Sequence, residues 1–258
     1  MMWMLEAGQS SRSVKRRLSA VKSLYRFLLS LGLVKVNITS KVLVPKTDKP
    51  LPIYFRESEM VAFKELNKIP TYEEEMDKVE WLEAMRDYLV VELLYQTGVR
   101  RAELAALEDK DIDLVGRQIR VFGKRRKERF VPIGEKLVKE IEGYMKIKQD
   151  LLQGEECFGI FLVRKKKSGE WVTLGAGGIY NIVRSRMSEV STIKKHTPHV
   201  LRHTFATTML NNGADIRTIQ TLLGHSSLEA TQVYTHTTFE EMKKVYEKAH
   251  PRSMKVKN

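Results

Sequence analysis

The sequence predicts a mainly α fold carrying a small antiparallel β-sheet, an α+β arrangement, and three observations predict it. Segments early in the chain repeat apolar residues at helical spacing. Two short β-rich runs, Gln118 to Phe122 and Arg129 to Ile133, flank a charged Gly-Lys-Arg-Arg-Lys-Glu tip and read as a hairpin. From Thr197 onward the chain is punctuated by helix caps and stops. A length of 258 residues has room for two domains, or for one large domain with an appendage.

The first helix is expected from Ser13 to Leu31. Val14, Leu18, Val21, Tyr25, Leu28 and Leu29 form its apolar side, Lys15, Arg16, Arg17, Lys22 and Arg26 fall largely on other faces, and Gly32 stops it. One helix and a short tail cannot bury a core alone, so residues 1–45 are expected to pack on something else or to be the remainder of a larger helical domain. The proline-rich stretch VPKTDKPLP reads as an extended linker, placed at 46–52, before a second domain at 53–258. There ESEMVAFKEL opens a helix with Ser58 as a candidate cap, and TYEEEMDKVEWLEAM reads as an acidic surface segment. The apolar run Tyr88 to Tyr95 is a helix ending at Thr97-Gly98, and a new helix begins near Arg101 and runs to Leu107. After the hairpin, Ile160 to Val163 and Trp171 to Leu174 are candidate strands around the basic turn RKKKSG. Thr197 caps a helix with Pro198 in first position, closed by Asn212-Gly213. Asp215 caps another that ends at Gly224, and Ser226-x-x-Glu229 has capping-box spacing for a third, which would carry Tyr234. The closing segment FEEMKKVYEKAHPR is helical by the spacing of Phe239, Met242, Val245, Tyr246 and Ala249.

Composition narrows the classes of function. Forty-two per cent hydrophobic residues with eight per cent aromatic describe an ordinary soluble protein, and no apolar run approaches bilayer length. The start lacks the order of a secretory signal, so a cytoplasmic location with no membrane partner is expected. The single cysteine, Cys157, excludes an intramolecular disulfide framework and a cysteine-based zinc site and is read as a bystander. A net charge of +13 favours a polyanionic partner through counterion release, with a membrane surface and the ribosome also open on charge alone. Distribution says more than the total. Residues 1–52 carry 10 Lys/Arg against 2 Asp/Glu, a net of +8, whereas 56–92 carry 5 against 11, a net of −6. Local charge of this kind marks a binding face.

Several residues could form an anion site. His199 and Arg202 stand three apart just inside a helix start, where unpaired N–H groups and the helix dipole already favour a phosphate; a surface His and Arg is the competing reading. Arg100 follows the Thr97-Gly98 break, where a side chain can point into a cleft. Lys124 lies in the hairpin tip, where contact with a nucleic-acid backbone explains it and Arg125, Arg126, Lys127 and Arg129 equally well. His225 follows Gly224 in a turn and is either a capping histidine or part of the site. Of nine tyrosines, Tyr88, Tyr95 and Tyr246 sit at apolar helical positions and read as core, while Tyr234 falls between polar turns.

Taken together, TGVRRAEL, VFGKRRKERFVPIG, TPHVLRHTFATTML and LLGHSSLEATQVYTHT resemble the successive signatures of the tyrosine recombinase (phage integrase) family, particularly its Xer-like branch. Order and spacing match too, including 23 residues from Arg202 to His225 and 9 from His225 to Tyr234, and the likeness covers nearly all of 53–250. The resemblance implies a catalytic domain preceded by a shortened helical DNA-binding segment. It also implies site-specific recombination through a 3′-phosphotyrosyl intermediate, as in chromosomal Xer recombinases or integrases of mobile elements, with no metal or other cofactor. Tyr234 would be the nucleophile, Arg100 and Arg202 the phosphate clamp, His199 the general base, His225 a hydrogen-bond donor to the phosphate, and Lys124 the acid for the departing 5′-oxygen. Glu103 would orient the site from behind, and His203 is assigned to packing or a buried hydrogen bond. Lys15, Arg16, Arg17, Lys22, Arg125, Arg126 and Lys127 would contact DNA. The implied partners are a double-stranded recombination site, a homo- or hetero-tetramer on synapsed DNA, and a second recombinase or an activator protein. The final helix would dock on a neighbouring protomer, against the plainer reading that it packs on its own domain.

Two departures stand against the family pattern. Arg125 occupies the place where Gly is expected after the hairpin lysine, and residues 1–45 supply one clear helix where the family has about four. A DNA-binding regulator without cleavage and a nicking-closing topoisomerase remain as alternatives. A zinc hydrolase is weaker, since HVLRH lacks the glutamate of HExxH.

Overall fold

The computed structural model describes residues 2–43, 53–68, 72–73, 77–123, 127–193, 195–224 and 236–253. The chain divides into two compact units, 1–52 and 53–258. The first holds α1 (Met2–Glu6) and α2 (Ser11–Ser30). Ser10 caps α2 by accepting from the Ser13 amide at 3.2 Å, and Gly32, at φ 69°, takes the left-handed conformation that ends it. The expected apolar side is only partly inward. Val14 is buried and Leu18, Tyr25 and Leu28 are half-buried, but Val21 and Leu29 are exposed, as are Leu24 and Phe27. Lys22 shares the inward line, with Nζ donating to the Val42 carbonyl at 3.2 Å, while Lys15, Arg16 and Arg17 are exposed.

The second unit is organised around one buried helix. It contains α3 (Glu57–Leu66), α4 (Lys78–Thr97) and α5 (Arg101–Ala105), then a short 3-10 turn at Asp109–Asp111. Strands β1 (Ile112–Asp113), β2 (Gln118–Phe122) and β3 (Glu128–Pro132) form an antiparallel sheet in that order, with Ile119 opposite Val131. Helix α6 (Glu135–Leu152) follows, then the antiparallel pair β4 (Leu162–Arg164) and β5 (Trp171–Thr173). The rest is α7 (Ala176–Ser188), α8 (Pro198–Asn211), α9 (Ile216–Leu223) and α10 (His236–Ala249).

Helix α4 is buried nearly all round from Trp81 to Thr97, the mark of a helix in the middle of a core, and α6, α7 and α8 pack against it. The segment read as acidic surface is therefore partly core. Asp77 caps α4 by accepting from the Glu80 amide at 2.8 Å, and Trp81, Leu82 and Met85 are buried. Helix α3 is capped by Glu59, which accepts from the Arg56 amide at 2.7 Å, and Ser58 lies inside its first turn. Thr197 occupies the expected cap position of α8 but makes no side-chain cap bond. Helix α5 stops at Ala105, two residues short of the expected Leu107. Tyr88, Tyr95 and Tyr246 are core residues as expected. Helix α10 packs on its own unit through Met242, Tyr246 and Ala249, and the Ala249 carbonyl accepts from Asn212 Nδ2 at 2.8 Å. No helix among the described residues is long and apolar enough to cross a membrane.

Candidate active site

The end of α4 sets up the site. Gly98 takes φ 60°, open to glycine at little cost, and turns the chain so that Arg100 becomes the residue capping α5. A Cβ at Gly98 would stand 2.5 Å from Phe205 Cδ1 and 2.7 Å from Leu223 Cδ2, so α8 and α9 close on this point. The Gly98 carbonyl accepts from Arg202 Nη1 at 2.6 Å.

Three arginines from three elements meet at the C-terminal end of α9. Its last carbonyls, left over by the helix ladder, are each taken by a different guanidinium. Leu222 accepts from Arg129 Nε at 2.8 Å, Leu223 from Arg202 Nη2 at 2.7 Å, and Gly224 from Arg100 Nη2 at 3.2 Å. One carboxylate joins two of them. Glu103 accepts from the Arg100 amide and Arg100 Nη1 at 2.8 and 2.7 Å, and from Arg129 Nη1 and Nη2 at 3.1 and 2.7 Å.

The electrostatics of this cluster are lopsided. Burial works to raise the Glu103 carboxyl, but the hydrogen bonds and charge of Arg129, with those of Arg100, outweigh it and hold the group below the usual carboxylate range. Three cations thus face one anion, and the partial negative charge at the end of α9 offsets only part of the difference. Arg202 registers the surplus. Burial, followed by repulsion from Arg100 and Arg129, pushes it down to about 10, so it stays charged at neutral pH in surroundings that favour an arriving anion.

Of the residues singled out in the sequence, the structure brings together Arg100, Arg202 and Glu103. His199 lies exposed in the first turn of α8, one turn before Arg202. His203 is exposed as well, which corrects the expectation of packing or a buried hydrogen bond. Lys124, Arg125, Arg126, His225 and Tyr234 lie outside the described residues, and Lys127 is exposed beside β3. Arg129 was grouped with the hairpin's nucleic-acid contacts; instead its side chain is only 6% exposed and salt-bridged to Glu103. The signal for this was alternation along β3, where Arg129 shares the inward face with Val131 while Glu128 and Phe130 point out.

Residues 60–241 match the model of the phage integrase family. The chain belongs to that family. It is 39% identical over 260 residues to the tyrosine recombinase XerC of Chlorobaculum parvum, covering 96% of this chain and 76% of that protein. With XerC of Staphylococcus aureus it shares 38% over 243 residues, 94% of this chain and 76% of the relative. Among solved structures, XerA recombinase superposes with a TM-score of 0.55 at 30% identity, covering 94% of this chain and 78% of that one. The fold of XerH bound to a difH substrate matches with a TM-score of 0.67 at 20% identity, covering 92% and 67%. This phage integrase family member is a Xer-like, site-specific tyrosine recombinase.

Proposed function

We propose that this recombinase binds a double-stranded DNA recombination site and cleaves it through Tyr234. The observation that carries the reading is the convergence of Arg100 and Arg202 on adjacent carbonyls, those of Gly224 and Leu223, the two residues before His225 in the chain. Two guanidiniums oriented by neutral acceptors form a clamp for the non-bridging oxygens of one phosphate.

In the proposed reaction the Tyr234 oxygen attacks phosphorus, the P–O(tyrosine) bond forms and the P–O5′ bond breaks. A phenol with an ordinary pKa of about 10 needs an acceptor for its proton, the role given to His199. Lys124 supplies a proton to the departing 5′-oxygen, and His225 donates to the phosphate. One phosphodiester replaces another, so rejoining to a new strand needs no nucleotide energy and no metal. Glu103 orients Arg100. Lys15, Arg16, Arg17, Lys22, Arg125, Arg126 and Lys127 belong to the same proposal as DNA contacts, as do the domain division at 46–52, a tetramer on synapsed sites and a second recombinase or activator.

Covalent capture tests it. The chain is incubated with sheared chromosomal DNA of its source, denatured with SDS, and the DNA still attached is sequenced. The recovered site is then built as a duplex nicked beside the scissile phosphate, so that cleavage traps the adduct. The parent should form adduct in EDTA and Tyr234→Phe none. Equal adduct from both, or adduct only with a divalent metal, overturns the reading.

A further inference from the structure

Arg129 has no part in the chemistry above, yet it is the most deeply placed cation of the cluster. It leaves the hairpin on β3 and points inward with all three side-chain nitrogens engaged: Nη1 and Nη2 on Glu103, Nε on the Leu222 carbonyl. Gly224 lies flat against it. A Cβ at that glycine would stand 3.0 Å from Nη1, 3.1 Å from Cζ and 3.2 Å from Nε, so the last turn of α9 is moulded on the guanidinium plane. Arg100, by contrast, is 40% exposed and touches the same two partners, Glu103 and the end of α9, from the outside.

This geometry separates two roles. A buried guanidinium whose nitrogens all donate inward cannot clamp a substrate phosphate. What it can do is fix the two things that orient Arg100. Its fork holds the Glu103 carboxylate in one plane, so that the oxygen accepting from Arg100 Nη1 has a defined direction. Its Nε and its flat face hold the Leu222–Gly224 turn, whose final carbonyl takes Arg100 Nη2. If filling space were the only need, an apolar side chain of similar volume would do so without burying a third cation beside two like charges and one carboxylate.

We infer that Arg129 is a positioning residue for strand cleavage, fixing Glu103 and the end of α9 and through them the stance of Arg100 at the scissile phosphate. The inference rests on the proposed roles of Arg100 and Tyr234. It ties the strand leaving the basic hairpin to the turn before His225.

The test uses the full chain and the nicked duplex recovered above, under single turnover, with Arg129→Gln, Arg129→Lys, Arg100→Ala and Tyr234→Phe. Arg129→Gln should lower the maximal rate of adduct formation by about 10- to 100-fold, the range for partners that orient a reacting group. The protein concentration giving half the maximal rate should stay close to the parent's, because Arg129 does not touch DNA. A second duplex carries a methylphosphonate at the scissile position and so lacks the charge that Arg100 meets. There the ratio of parent to Arg129→Gln should move towards one, as should the ratio of parent to Arg100→Ala. A folding defect would lower both substrates alike. Arg129→Lys keeps the charge but loses the planar fork; it should fall between the parent and Arg129→Gln, and it carries the test if the Gln variant does not fold. Parental rates in both Arg129 variants, or equal losses on both substrates, overturn the inference. Parental rates in Arg100→Ala and Tyr234→Phe would instead overturn the site itself.

Discussion

Replacing Glu103 with Gln should cost this protein much of its stability. The carboxylate side chain is 7% exposed and lies against Arg129 at 6%, so solvent screens the pair little. Four donors converge on it, two from Arg100 and two from Arg129. Glutamine keeps one acceptor oxygen but turns an NH2 group towards guanidinium donors, and Arg129 is left buried without a counter-charge. Breaking a buried pair in this way costs about 3–5 kcal/mol. For a unit of this size that is a drop of about 6–20 °C in Tm. Urea unfolding of parent and variant is the assay, with the midpoint falling at unchanged slope. The pH dependence supplies a second signature. The folded-state pKa of Glu103 lies below its ordinary 4.5, so its contribution is complete above about pH 4.5 and is lost as pH falls through the depressed folded value. The gap between parent and variant should therefore narrow only below that point. A loss under about 1 kcal/mol, the size of an exposed ion pair, would refute the account of Glu103 as the buried anion of the cluster.

Other consequences follow from the same structure. Gly98→Ala places a methyl group 2.5 Å from Phe205 Cδ1 in a left-handed backbone; strain and overpacking together should cost about 2–5 kcal/mol in denaturant unfolding. His250 is fully buried between Tyr246, Tyr95 and Phe205, and burial, helped by Arg252, pushes it down to about 3 from 6.5. Its neutral form stabilises the fold above pH 6.5, and that contribution is lost as pH falls towards 3, at about 1.4 kcal/mol per pH unit. His250→Phe should flatten the stability profile over that interval. Lys148→Met leaves the Asp109 carboxylate and the Gly159 carbonyl without their shared ammonium, bound at 2.6 Å in each case, and should lower unfolding free energy by about 3 kcal/mol.

The elements with strong local signals were legible in the sequence. The hairpin strands stand at Gln118–Phe122 and Glu128–Pro132, and Gly98, Gly224 and Gly32 end helices as their positive φ angles require. Other features needed tertiary information. Helix α6 was not predicted, although Leu137, Ile141, Tyr144 and Ile147 mark its inward face at helical spacing. The start of α4 looked like surface because it follows a run of acidic residues and carries Glu80 and Glu83 itself, yet Trp81 and Leu82 decide which way it faces. In the site, Arg100 and Arg202 could be named from residue types and spacing, but nothing local reveals that both would turn to the end of α9. Arg129 was hidden by company: among five basic residues, only strand alternation separates the buried one from those in the turn.

The choice of partners for these arginines bears on function. Had Arg100, Arg129 and Arg202 each met a carboxylate, the cluster would be neutral, and an arriving phosphate would compete with three formed ion pairs. Here one carboxylate orients two of them, and three neutral carbonyls of α9 finish the task. Carbonyl dipoles fix direction while cancelling little charge; the helix end contributes only about half an elementary charge. The folded protein therefore keeps like charges close together, which adds to burial in lowering the Arg202 pKa and costs stability that a paired cluster would retain. Under the roles proposed for Arg100 and Arg202, stability is lower than it could be at the point where negative charge is stabilised during strand cleavage, the usual direction of trade between a stable fold and a working site. The buried Glu103–Arg129 pair makes this tolerable. It anchors the cluster from the inside, so the outer arginines can remain under-neutralised without drifting apart.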